Sequence, residues 1–256
     1  MPAKFLRIGD EAIHYLHTGA TTLPDVPPCL ERGTPFLFLS GEGGSAAMWA
    51  AHLAAFGREH CAVAMDLPAH GRSTGLDAPA TVGAAVAAVL ALLDGLRAPP
   101  LVLVGHGSGG RVALATALRR PERVRAVVTI GSAARGTFPA EHAEKLRQVV
   151  KGRLGQQFDT PFFGPKPEMD AMRGFWTELT KSDPKVRLTD IEAYAAWDLG
   201  PALGGLEVPV LALHTAAERL ASAPPKARLE VIAGAGHVAH LERTAEVQRA
   251  IEDWLA

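Results

Sequence analysis

The stretch Leu101 to Val124, LVLVGHGSGGRVALATALRRPERV, carries the first residues able to do chemistry. It reads as an apolar strand, a glycine-rich turn and an amphipathic helix. A turn of that kind lifts one side chain above the end of a strand, where a nucleophile belongs. Here His106, Gly107 and Ser108 occupy the turn. A second stretch, AGAGHVAHLE (233–242), sets His237 among glycines. A histidine near its ordinary pKa can take and return a proton without forming a covalent bond. Two carboxylates stand in loops that follow apolar runs, Glu42 after Phe36–Ser40 and Glu218 after Val210–His214. Either has the chemistry to orient an imidazole and stabilise its cation.

These residues need a frame. Short apolar runs without polar alternation predict strands at Phe5–Ile8, Ala12–His17, Phe36–Ser40, Ala62–Asp66, Leu101–Gly105, Ala126–Gly131, Val210–His214 and Leu229–Ala233. The interior ones have the composition of strands buried on both faces of a parallel sheet. Helical periodicity covers Ala46–Phe56, Val82–Leu96, Gly110–Arg119 and Thr244–Trp254, and Pro121 stops the third. Strand and helix alternate, which predicts a doubly wound α/β fold with a mostly parallel eight-stranded sheet. Residues 20–33 are proline-rich and read as a loop. Residues 137–197 break the alternation and collect aromatics and prolines. We read them as a helical cap inserted into a core formed by 1–136 and 198–256. Phe162 and Trp176 are candidates to line a pocket under it, though packing of the insert onto the sheet explains such aromatics equally well.

Bulk properties narrow the function. The chain has 256 residues, with 26 Lys and Arg against 27 Asp and Glu, and shows no basic stripe or acidic tail, so nucleic acid and anionic membrane are not expected partners. The longest apolar run, Ala84–Leu93, is too short to span a bilayer. Charges at Arg7, Asp10 and Glu11 interrupt any signal-peptide core. Two cysteines far apart make no disulfide framework, and a cytoplasmic location is expected. The histidines show no metal-ligand spacing, and no dinucleotide or Walker pattern stands out, so neither metal nor organic cofactor is expected.

Four stretches in order, FLFLSGEGGSAAMW (36–49), MDLPAHGRS (65–73), VGHGSGGRVAL (104–114) and AGAGHVAHLE (233–242), together resemble the α/β-hydrolase superfamily. The likeness is to its capped esterase, haloperoxidase-like and dehalogenase-like branch. The resemblance implies an elbow nucleophile, an acid after a late strand, a histidine after the last strand and two backbone N–H donors. Aligned without a gap, Gly105 opens the elbow motif and Gly107 stands at the nucleophile's place, where it has no side chain to acylate. Glu218 falls at the acid's place, followed by a shortened segment, and His237 at the base's. Ser40, Gly41 and Glu42 fall on the oxyanion loop, so the donors would be the N–H groups of Glu42 and Ser108. His106, the residue before the elbow, joins Ser40, Gly41, Glu42 and Ser108 as a candidate contact to substrate. Asp66, His70, Arg72, Asp198 and His240 read as structural.

Three readings stay open. One is an enzyme acting on a small, largely apolar molecule by non-covalent acid–base chemistry centred on His237: a lyase, isomerase, cyclase or direct water attack. Another is a serine ester hydrolase, through a displaced elbow at Ser108 or as the product of an engineered Ser→Gly change at 107. The third is a non-catalytic ligand-binding or interaction protein that keeps the hydrolase shell.

Overall fold

The computed structural model describes residues 1–20, 23–74, 81–135, 139–156, 162–214, 224 and 226–256. Eight strands form one sheet: β1 (Ala3–Ile8), β2 (Glu11–His17), β3 (Pro35–Leu39), β4 (Cys61–Met65), β5 (Leu101–His106), β6 (Val124–Ile130), β7 (Val210–His214) and β8 (Arg228–Val231). Their order is β1-β2-β4-β3-β5-β6-β7-β8. β2 runs antiparallel to both neighbours and every other pairing is parallel.

Alternation along the strands makes two cores. Leu37, Leu39, Leu101 and Leu103 point to one face, where α2 (Val82–Gly95) and α3 (Ser108–Arg119) cover them. Phe36, Phe38, Val102 and Val104 point to the other, under α1 (Ala50–Phe56) and the last helix, Thr244–Leu255. Both faces being covered explains why the parallel strands read as unbroken apolar runs. The exception is β8, an edge strand whose residues are mostly exposed. The helix expected over Ala46–Phe56 begins as a 3-10 turn at Ala46–Trp49. There the N–H of Ala46 is held by Asp66 at 2.6 Å.

Between β6 and β7 the chain forms α4 (Ala140–Val150), α5 (Met169–Leu179) and α6 (Pro184–Ala195). Arg135 and Asp198 bridge where this insert leaves and rejoins the sheet. The insert sits over the carboxyl ends of the strands. Ser182 Oγ donates to the Gly43 carbonyl after β3, and the Val238 N–H beyond β8 donates to Phe162 O. The short α7 (Ala239–Glu242) leads into α8 (Thr244–Leu255). From β3 the chain first adds β4 on one side, then β5 on the other. The loops after β3 and β5 therefore diverge from a topological switch point, where open α/β sheets bind ligands. No helix among the described residues is long and apolar enough to cross a membrane.

Candidate active site

The turn between β5 and α3 is a single residue. Gly107 has φ 52° and ψ −121°, a conformation that costs a residue with a side chain on the order of 1–3 kcal/mol. Its N–H donates to Ile130 O at 3.0 Å, and its carbonyl accepts from the Gly110 N–H at 3.2 Å. A Cβ on Gly105 would collide with the backbone of Gly109 and Gly110, so only glycine lets α3 start this close to the strand. Ser108 is the first residue of α3 and is buried. Its N–H, in the first helical turn, has no intrahelical acceptor and is available to an oxyanion.

The surroundings of Gly107 define the site. A Cβ built there would lie 2.9 Å from Glu42 Oε2 and 3.6 Å from His237 Nε2. A carboxylate from the loop after β3 and an imidazole from the loop after β8 thus converge on the volume a serine side chain would fill.

The carboxylate side holds several buried charges. Arg111, one helical turn past the elbow, lies within electrostatic reach of Glu42, and its guanidinium covers the Tyr194 ring at 5.0 Å. Burial pushes the Tyr194 phenol well above its ordinary pKa, helped by Asp190 and Glu42, so it stays protonated. Asp190 on α6 accepts from the Gly43 N–H at 2.9 Å and from His70 Nε2 at 2.7 Å, which ties the insert to the Glu42 loop. His70 Nδ1 faces the Pro68 carbonyl at 2.9 Å. Both ring nitrogens face acceptors, so the imidazolium form is favoured. Burial alone would lower the His70 pKa, but Asp190 and these hydrogen bonds reverse that and raise it.

The histidine side is built differently. The His106 ring lies 4.7 Å from that of His237 and 4.3 Å from that of His240. His106 Nε2 donates to the His237 carbonyl at 3.1 Å. A carbonyl only accepts, so the proton of His106 sits on Nε2. Burial and the nearby His237 hold its pKa well below the ordinary value, against the hydrogen bond to the His237 carbonyl. Its Nδ1 would be 2.8 Å from a Cβ on Gly41, so the ring packs directly beneath the oxyanion loop. His106 props both loops that bring functional groups to Gly107. His240 is buried deeper, its ring tilted against Trp49 with centroids 4.6 Å apart.

The remaining candidates separate. Ser40 Oγ donates to Ser45 O at 2.7 Å and accepts from Trp49 Nε1 at 3.0 Å, so its hydroxyl braces the loop. Phe162 is near His237, the two rings 6.2 Å apart. Trp176 is buried among Met48, Phe163, Phe175 and Val238, the packing alternative for that aromatic. Glu218 lies outside the described residues. Sequence reasoning missed Arg111 and Asp190. Neither carries a local signal in the sequence: Arg111 sits in GGRVAL like any helix residue, and Asp190 reaches Gly43 from a distant helix.

The alpha/beta hydrolase family model matches residues 36–250. The (E)-2-((N-methylformamido)methylene)succinate hydrolase of Acinetobacter baylyi is 24% identical, over 88% of this chain and 91% of that one. The dihydrolipoyllysine-residue acetyltransferase component of the acetoin cleaving system of Pseudomonas putida is 30% identical, over 86% of this chain and 62% of that one. Among solved structures, the enol-lactonase of Burkholderia xenovorans LB400 superposes with a TM-score of 0.75 at 23% identity, covering 98% of this chain and 99% of that one. With the sheet order, the glycine-turned elbow and the match over most of its length, the chain belongs to the alpha/beta hydrolase family.

Proposed function

We propose that this protein hydrolyses a small carbonyl compound without an acyl-enzyme, by direct attack of a water held between Glu42 and His237. The observation that carries the reading is the convergence of Glu42 Oε2 and His237 Nε2 on the empty side-chain position of Gly107. A water there takes the place of a serine hydroxyl. His237 removes one of its protons as the oxygen bonds to the carbonyl carbon. Glu42 stabilises the imidazolium so formed. The N–H groups of Glu42 and Ser108 receive the developing oxyanion. When the tetrahedral adduct collapses, His237 returns the proton to the leaving oxygen or nitrogen, giving an acid and an alcohol or amine. The relatives named as hydrolases support the reaction class.

Turnover of aryl esters, followed together with intact mass and a fluorophosphonate probe, tests this. The expected result is steady turnover with no burst, no acyl adduct and no labelled serine. His237→Ala should lower kcat by roughly 100-fold or more, the ordinary contribution of a general base. Glu42→Gln should lower it by a smaller factor. An adduct mapped to Ser108 would overturn the reading in favour of a displaced serine nucleophile. An unchanged kcat in His237→Ala would remove the base.

A further inference from the structure

Arg111 is 3% exposed, and its Nη1 has no hydrogen-bond partner among the described residues. A guanidinium in that position is costly. It is desolvated, and it sits in the first turn of α3, where the positive end of the helix dipole opposes it. Glu42 offsets part of the charge through space, and the Tyr194 ring offers only its face. The fork of planar N–H donors is left without a planar acceptor. Asp190, on the same helix as Tyr194, already accepts from His70 and from the Gly43 N–H. Arg111 is also placed to matter for chemistry, because it lies four residues beyond Gly107 and within electrostatic reach of Glu42, whose Oε2 faces the Gly107 side-chain position. A second arginine, Arg187 on α6, passes its stem over Gly43 and sets its guanidinium 5.8 Å above the Phe162 ring, beside His237.

We infer that Arg111 is the recognition residue for a carboxylate on the substrate, so that the site takes a small carbonyl compound whose otherwise apolar body carries one acidic group. The inference rests on the placement of the reaction centre at Glu42 and His237. A carboxylate matches the two parallel donors of a guanidinium, which a neutral ester or amide does not. It also supplies the counter-charge that Glu42 only partly provides. Glu42 then has a second effect. As a fixed anion near the same guanidinium it weakens binding of any second anion, which helps the carboxylate product to leave.

The probes are 3-phenylpropanoate and its neutral isostere 3-phenylpropanamide, titrated calorimetrically into the intact protein. The wild type should bind the carboxylate about tenfold or more tightly than the amide, the difference expected from charge-assisted hydrogen bonds. Arg111→Met should abolish that preference. Arg111→Lys, which keeps the charge and loses the fork, should retain only part of it, and guards against a Met variant that fails to fold. Glu42→Gln should tighten the carboxylate several-fold and leave the amide unchanged. Equal affinities in the wild type, binding of neither probe, or a preference that survives in a folded Arg111 variant overturns the inference. These are binding readouts and do not depend on turnover. If His237→Ala and Glu42→Gln were fully active, the hydrolytic reading would fail while the carboxylate preference stood or fell separately.

Discussion

The two flanks of Gly107 are both buried and both polar, yet they solve burial in opposite ways. On one flank the rings of His52 and His240 pack edge-on or tilted against Trp49 and His106 packs on His240, and among the described residues no carboxylate bonds to them. Among the described residues, neither ring nitrogen of His240 has a partner, nor has Nδ1 of His52. On the other flank Glu42, Arg111, Asp190 and His70 are charged and arranged so that opposite charges neighbour each other. An imidazole can stay neutral and pack as an aromatic disc, so it tolerates a dry site at the cost of some hydrogen bonding. A guanidinium cannot shed its charge, and a buried one must find an anion. The histidine flank therefore packs as uncharged rings, while the charged flank sets buried groups of opposite charge beside one another. His237 stands at the border, half-buried, its ring tilted against that of His106 and its Nε2 toward the Gly107 side-chain position.

Acid should separate the two flanks most strongly. Burial lowers the His52 pKa to about 4, with the His240 carbonyl opposing the shift. His106 and His240 are also held well below their ordinary values. The unfolded chain takes up protons near pH 6.5 and the folded one does not, so stability is full above that pH and falls as pH drops toward 4. For His52 alone the loss reaches roughly 3 kcal/mol, and the other two rings add to it. His70 works in the reverse sense. Its raised pKa means that its contribution persists in acid and is lost only as pH rises through the folded value. Urea denaturation at pH 7.5, 6 and 5 should show a steep decline, flattened in His240→Phe. A stability that stays level from pH 7.5 to 5 would mean these rings are charged when folded.

The charged flank has its own pivot in Asp190, whose removal tests the opposite half of the comparison. Asp190→Asn leaves His70 buried beside a neutral partner and weakens the clasp on Gly43. Breaking a buried pair from one side costs about 3–5 kcal/mol, eased here because His70 can lose its proton. A drop in melting temperature should therefore be largest below pH 6, where the imidazole would otherwise stay charged. An equal drop at every pH would show that Asp190 acts only through Gly43.

How much of this could be read from the chain differs between the flanks. The strands were legible because a sheet covered on both faces demands the runs PFLFL, CAVAM and LVLVGH. The elbow glycine and His237 were legible because each sits in a local glycine pattern. The helical insert was visible as a break in alternation, and its boundaries remain a division of the chain that the sequence suggests. Arg111 and Asp190 were not legible, since nothing local marks them. An arginine in GGRVAL looks like any helix residue, and Asp190 meets Gly43 across 147 residues of chain. Edge strand β8 was found although its exposed residues give little apolar signal. The acid expected at Glu218 falls outside the described residues; among the described ones, Glu42 is the carboxylate beside Gly107.

The smallest expected effect on stability is also the sharpest probe of the border between the flanks. Gly107→Ser puts a side chain where φ is 52° and ψ is −121°, so it should cost on the order of 1–3 kcal/mol. Its Cβ, 2.9 Å from Glu42 Oε2, forces that half-buried carboxylate to swing aside, which the far end of a flexible side chain can do. The hydroxyl would then rise from a Cβ 3.6 Å from His237 Nε2, within hydrogen-bond reach of the imidazole. The variant should melt lower than the wild type and gain a fluorophosphonate adduct at position 107. Both changes together would mean that the oxyanion donors and His237 are held in working geometry by the histidine flank, independently of Glu42. A destabilised variant that does not label would place the defect in the alignment of His237, and would make the charged flank, not the histidine stack, the part that organises the base.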